Sequence, residues 1–90
     1  MKVLVIIPAY NEEKNILKTV NNLKEIKLDH ELDYVIINDG STDSTKKICE
    51  ENHLNMIDLP FNLGIGGAVQ TGYKYAYYHN YDIAIQFDGD

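Results

Sequence analysis

Val3-Leu4-Val5-Ile6-Ile7-Pro8-Ala9-Tyr10-Asn11-Glu12-Glu13 opens the chain with five aliphatic residues in a row, then a proline, then polar residues. A run with no polar side chain to turn toward water suits a strand buried on both faces, as in a parallel sheet. Tyr34-Val35-Ile36-Ile37 repeats the pattern and gives way to Asp39-Gly40-Ser41, and Ile83-Ala84-Ile85-Gln86-Phe87 repeats it before Asp88-Gly89-Asp90. Asn55-Met56-Ile57-Asp58-Leu59 is a weaker version, read as a less buried strand closed by Pro60. Between these runs the apolar period becomes helical. Ile16, Val20, Leu23 and Ile26 or Lys27 hold one face, with Asn11 expected as N-cap and Glu12 and Glu13 in the first turn. Ser41 or Asp43 is expected to cap a second helix that runs to about Asn52, with a thin apolar face of Ile48 and Cys49. Ile65, Ala68, Val69, Gly72, Tyr73, Ala76 and Tyr77 define a third. Its small residues would let it lie close to a sheet, and the spacing assigns Tyr73 and Tyr77 to the core. The order β-α-β-α-β-α-β predicts an α/β fold, a Rossmann-like three-layer sandwich with a mainly parallel sheet and right-handed crossovers, in one domain over 1–90.

Composition narrows the function classes. The 90 residues include 8 lysines and no arginine against 14 acidic residues, a net charge of −6. Such a chain is a poor electrostatic match for a nucleic-acid backbone or an anionic membrane surface. No apolar run approaches the roughly 20 residues that span a bilayer, and the start lacks the basic n-region and cleavage site of a signal peptide. The one cysteine, Cys49, rules out an internal disulfide framework and fits a reducing, cytoplasmic compartment. It reads as a small core residue, and His30, His53 and His79 as surface residues without metal-ligand spacing. The chain stops three residues after its last strand with no helix to cover it, so it is expected to be the N-terminal part of a longer protein.

In an open parallel sheet, ligands bind beyond the carboxyl ends of the strands. There the polar residues should converge: Pro8, Tyr10, Asn11 and Glu12, then Asp39, Ser41 and Asp43, then Asp88 and Asp90. Five carboxylates at one edge repel unless a cation or hydroxyl-rich ligand compensates them. Asp88-Gly89-Asp90 reads either as a solvated turn or as hard oxygen donors for Mg²⁺ or Mn²⁺ bridging to phosphate. Asp39-Gly40-Ser41-Thr42-Asp43 reads as a turn with Gly40 at positive φ, and Asp39 could at the same time accept from ribose hydroxyls or a base N–H. Asn62-Leu63-Gly64-Ile65-Gly66-Gly67 is glycine-rich, which close helix packing explains as well as phosphate binding does; it is neither a dinucleotide fingerprint nor a P-loop.

Four segments in register, Val5 to Glu13, Val35 to Asp43, Asn62 to Gly72 and Asp88-Gly89-Asp90, resemble the N-terminal half of a family 2 glycosyltransferase of the GT-A fold, over nearly the whole chain. The resemblance implies an enzyme that moves a sugar, with inversion and a divalent cation (Mg²⁺ or Mn²⁺), from a nucleotide-diphosphate sugar to an acceptor such as a polyprenyl phosphate or an envelope polysaccharide. It implies that Pro8, Tyr10 and Glu12 line the nucleotide pocket and that Asp39 contacts base or ribose. Asp90 would be the metal ligand, with Asp88 a second ligand nearer the ribose or donor sugar. The carboxylate base of the family lies beyond this pair, so the 90-residue chain is expected to be inactive alone, its parent enzyme working in the cytoplasm or at the cytoplasmic face of a membrane.

Two other classes compete. A phosphoacceptor receiver module also gathers acids and Mg²⁺ at strand ends, but it wants an acidic pair just after the first strand and a lysine after a late one. Here Tyr10-Asn11-Glu12-Glu13 matches in part and the late lysine is missing. The other is an assembly domain. Ile83, Ile85 and Phe87 on an uncovered last strand predict self-association, as a dimer.

Overall fold

Lys2–Ala9 forms strand β1, and Val3 to Ile7 are all buried, as their unbroken aliphatic character requires. The computed structural model describes residues 1–26 and 31–87. Along it follow helix α1 (Ile16–Lys24), β2 (Glu31–Asp39), α2 (Thr45–Glu51), β3 (Met56–Leu59), α3 (Gly64–Tyr78) and β4 (Ile83–Gln86), the alternation expected from the sequence. The four strands are all parallel, in the order β3-β2-β1-β4. Two successive steps in one direction, through α1 and α2, are followed by a return through α3 to the far edge. That reversal beside β1 places a crevice beyond its carboxyl end.

Side-chain alternation along β1 splits the core in two. Val5, Ile7 and Ala9, with Ile36 of β2, pack under Ile16, Val20 and Leu23 of α1 and Cys49 of α2. Leu4 and Ile6, with Val35 and Ile37, pack on the other face against Ala68 and Ala76 of α3. β3 is the less buried strand the sequence suggests, and it ends just before Pro60. Among the described residues no helix is long and apolar enough to cross a membrane.

Three local expectations need correction. First, α1 starts at Ile16 with Asn15 at its cap position, so Glu12 and Glu13 precede the helix. Asn11 takes the left-handed region (φ 54°) and turns its side chain to another loop. Second, α2 starts at Thr45; Asp43 Oδ1 accepts from the Thr45 amide (2.9 Å), whereas Ser41 Oγ accepts from the Asn11 amide (3.0 Å). Neither candidate stands at the cap position, which Ser44 takes without a side-chain cap hydrogen bond; Asp43 satisfies the Thr45 amide from the residue before Ser44. Third, Tyr73 and Tyr77 are 47% and 74% exposed, and Ile65 is exposed as well. Ala68, Gly72 and Ala76 seat α3 so closely on the sheet that the flanking positions rotate away from it. Tyr75 takes the inward role instead, half-buried beside Tyr81 and packed against the α3-side core.

At the edge strand, Ile83 and Ile85 align with Val3 and Val5 and remain 40% and 47% exposed, while Phe87 packs partly against the α1-side core.

Candidate functional site

A cavity of about 300 Å³ opens at the carboxyl edge of the sheet. The end of β1 supplies Ile7, Pro8 and Ala9, the following loop Tyr10 and Glu12, and α1 its inner residues Ile16 and Thr19. Asp39 closes β2 on the opposite wall, and Asn62, Gly64 and Ile65 come from the approach to α3. Pro8, Tyr10, Glu12 and Asp39 are thus brought together from two strand ends that lie about 30 residues apart in sequence. Asp88 and Asp90 lie outside the described residues.

Asp39 is nearly buried, yet borders the cavity. A carboxylate in that position needs hydrogen-bond donors to offset lost hydration. Its Oδ1 accepts from the Leu63 amide at 2.6 Å, and the Asn62 side-chain carbonyl accepts from the Gly64 amide at 2.9 Å. Two amides at the start of α3 are therefore already occupied by side chains, in keeping with reading the glycine-rich segment as a packing device. Gly40 (φ 69°) explains how the two segments meet. A Cβ there would lie 2.5 Å from the Asn62 amide nitrogen and 2.7 Å from the Phe61 carbonyl carbon, so main chain packs directly on main chain.

The fifth carboxylate of the expected cluster, Asp43, is placed elsewhere. It belongs to a clasp between the β1–α1 and β2–α2 loops. Successive amides of Asn11, Glu12 and Glu13 donate to Ser41 Oγ, Thr45 Oγ1 and Asp43 Oδ2 at 3.0, 2.9 and 3.2 Å. In return Asn11 Oδ1 accepts from the amides of Thr42 (2.8 Å) and Asp43 (3.3 Å), and Glu13 Oε2 accepts from the Ser44 amide (3.3 Å). Partial desolvation pushes the Asp43 carboxyl up, but the hydrogen bonds from the Thr45 hydroxyl and amide and from the Glu13 amide prevail and hold it below the ordinary carboxylate value.

Asn38 precedes Asp39 but faces the other side of the sheet. Its side-chain amide donates to Asp58 (2.9 Å), which pairs with Lys46 (3.1 Å) and raises that ammonium's pKa. Cys49 is fully buried; burial first and the Glu50 charge second push its thiol up, which suits a core residue and not a nucleophile. His53 and His79 are exposed, as expected, and His30 lies outside the described residues. Among the described residues no group of three or more His, Cys, Asp or Glu side chains is placed to hold a metal ion.

A sequence model of glycosyl transferase family 2 matches residues 4–90. The chain belongs to that family. It is 40% identical to the UDP-N-acetylglucosamine–dolichyl-phosphate N-acetylglucosaminyltransferase of Methanococcus voltae, over 98% of this chain and 41% of that protein. The fold matches the crystal structure of residues 1–349 of Staphylococcus aureus TarS in complex with UDP, with a TM-score of 0.81 and 32% identity, over 100% of this chain and 28% of that one. It also matches the mannosyltransferase PcManGT of Pyrobaculum calidifontis in complex with GDP-Man and Mn²⁺, with a TM-score of 0.69 and 28% identity, over 83% of this chain and 24% of that one. The chain therefore spans less than half the length of these relatives. Family membership and the GT-A architecture agree with the resemblance carried by the four sequence segments, and they leave the phosphoacceptor alternative without support.

Sequence reasoning missed Thr19, Asn62, Gly64 and Ile65 as cavity residues. A signal for the last three was present, since the segment before a helix in this topology returns to the same edge. Thr19 had none: it is a partly buried polar residue within α1, away from any strand end.

Proposed function

We propose that this chain is the donor-binding part of a metal-dependent, inverting glycosyltransferase that takes its sugar from a nucleotide-diphosphate sugar. The observation that carries the reading is the convergence of Glu12 and Asp39, from separate strand ends, on one cavity at the carboxyl edge of the sheet. The family relatives crystallised with UDP and with GDP-Man support it. Pro8 and Tyr10 supply an apolar and aromatic wall for a nucleoside, and Glu12 a hydroxyl acceptor. Asp39 holds one oxygen on the Leu63 amide and offers the other to a base N–H or ribose hydroxyl.

Asp90, with Asp88 nearer the ribose or donor sugar, would hold Mg²⁺ or Mn²⁺; hard carboxylate oxygens two residues apart are the donor set such ions prefer. When bound, the cation supplies Lewis-acid neutralisation of the diphosphate leaving group. The Mn²⁺ complex of the Pyrobaculum relative supports the divalent ion. The acceptor is a polyprenyl phosphate, a reading favoured by the dolichyl-phosphate relative, or an envelope polysaccharide, and the proposed place of work is the cytoplasm or the membrane's cytoplasmic face. The general base belongs to sequence beyond Asp90, so residues 1–90 bind donor without turning it over. A second reading, assembly, is favoured by the exposed Ile83 and Ile85 on β4 and is taken as self-association of this chain.

The test is calorimetric titration with UDP and with GDP, each with Mn²⁺ or Mg²⁺. One of the two binds, and Asp39→Asn weakens it by about tenfold, on the order of 1.4 kcal/mol, while the fold persists because the Asn carbonyl still accepts from Leu63. Binding of neither, or an Asp39→Asn variant that binds as well as the original, rejects the reading, and turnover of a nucleotide sugar by the 90 residues rejects its inactivity.

A further inference from the structure

The cavity's two walls grow from the ends of neighbouring strands, paired as far as Ala9 and Asn38, and beyond that ladder the clasp joins the loops that continue them. One wall carries Tyr10 and Glu12; the other carries Asp39, anchored independently on Leu63. Among the described residues, the only side-chain hydrogen bonds between residues 10–15 and 40–45 are those of the clasp, and Asn11 sits at its centre. Its backbone is left-handed, a conformation that Asn, Asp and Gly tolerate and other residues pay about 1–2 kcal/mol to adopt. Its amide donates across the gap, and its Oδ1 accepts from two amides and, at 3.4 Å, from the Thr42 hydroxyl. Asn11 is not among the residues that line the cavity, although both its neighbours Tyr10 and Glu12 are.

We propose that Asn11 is a positioning residue: by tying the β1–α1 loop to the β2–α2 loop it holds Tyr10 and Glu12 at the distance from Asp39 that a bound nucleotide requires. The inference rests on the nucleotide reading above and adds to it a residue outside the cavity's lining. The need for such a device follows from the local structure. Tyr10 to Asn15 lie outside any helix or strand; the Asn15 and Ile16 amides on the Glu12 carbonyl hold the turn into α1, while at Asn11 to Glu13 the clasp supplies the partners, and a misplacement of about 1 Å in a binding wall is enough to cost a large factor in rate. Asp43 reinforces the clasp from the α2 side, because the same carboxylate that receives the Glu13 amide also receives the Thr45 amide and hydroxyl.

Two substitutions separate the acceptor from the backbone. Asn11→Gly keeps the left-handed conformation and deletes Oδ1; Asn11→Asp keeps both an acceptor and tolerance of that conformation. UDP and GDP titrations with Mn²⁺, run beside amide hydrogen exchange at residues 11–13 and 63–64, give the readout. Asn11→Gly weakens the nucleotide by about tenfold or more and speeds exchange at 11–13 but not at 63–64, while Asn11→Asp stays within about twofold on both measures. Should Asn11→Gly fail to fold, Ser41→Ala, which removes the hydroxyl on the far side of the same clasp, replaces it. Equal affinity in Asn11→Gly and the original chain overturns the positioning role alone, as does equal loss in Asn11→Gly and Asn11→Asp. Absence of nucleotide binding by the unaltered chain overturns the nucleotide reading itself and takes this inference with it.

Discussion

Asp43 illustrates how a single carboxylate changes meaning between sequence and structure. In the chain it stands among five acids expected at one edge; in the fold its oxygens face the Thr45 hydroxyl and the amides of Thr45 and Glu13. Those donors favour the ionised form, so its folded-state pKa lies below the ordinary 3.8. The sign of the linkage follows: stabilisation is complete above the ordinary value and disappears as pH falls through the lower folded-state value. The chain has 14 acidic residues, so other carboxylates titrate over the same range. Asp43→Asn isolates this one. Unfolding by denaturant, followed by circular dichroism, is expected to give a stability gap between the two proteins at pH 7 that closes as pH falls below about 4. A gap that stays constant over that range would mean the charge contributes nothing. Glu12 and Asp39 were legible as residues of the cavity because a polar residue that ends a buried strand has one place to go. The roles of Asn11, Asp43 and Thr45 were not, since a partner some 30 residues away leaves no local pattern.

Helix α3 carries the same lesson at the scale of an element. Its apolar positions are evenly spaced, and spacing alone could not say which line along the helix meets the sheet. The structure selects the line of smallest residues, Ala68, Gly72 and Ala76, because only there can the helix axis approach Ile6. A Cβ on Gly72 would press on the Ile6 Cγ2 and lie 2.8 and 2.9 Å from its Cγ1 and Cδ1. Ile6 is β-branched, fully buried and stiff at χ1, so it has little room to yield. Gly66 in the same helix has nothing within 4 Å of such an atom. The two alanine substitutions should therefore differ in sign. Gly66→Ala gains helix propensity, up to about 1 kcal/mol, whereas Gly72→Ala loses about 1–3 kcal/mol to overpacking against that same gain. Denaturant midpoints of the two variants measure this directly, and a shift in one direction for both would show that α3 does not rest on Ile6. The strands were easier to read than α3 or the start of α1. Unbroken aliphatic runs have one stable fate in a parallel sheet, whereas a helix terminus depends on which loop captures its capping residue.

For the molecule as a whole, the parallel sheet and its two-sided cover followed from the alternation of buried runs and helical periods, but the strand order β3-β2-β1-β4 and the uneven cover of the sheet could not be seen until the strands were in place. β1 and β2 are sheathed on both faces, while β4, at the edge, leaves Ile83 and Ile85 about half exposed on the side where Val3 and Val5 are buried. Natural edge strands usually carry charge, proline or a bulge to discourage pairing, and Ile83-Ala84-Ile85-Gln86 carries none of these. A net charge of −6 opposes association at long range, so a contact between two copies would have to be short-range, apolar and sensitive to salt in the direction of tighter binding as screening rises. Light scattering coupled to size exclusion is expected to find a dimer in the micromolar range at 0.15 M salt, with the monomer fraction growing as salt is lowered. Lysine at both Ile83 and Ile85 should give a monomer at all these conditions while changing stability little, because both side chains are already largely in water. A monomer for the unaltered chain throughout, or a dimer that survives both lysines, would place the association surface elsewhere or remove it, and the exposed edge of β4 would then be a surface that other parts of a longer polypeptide cover.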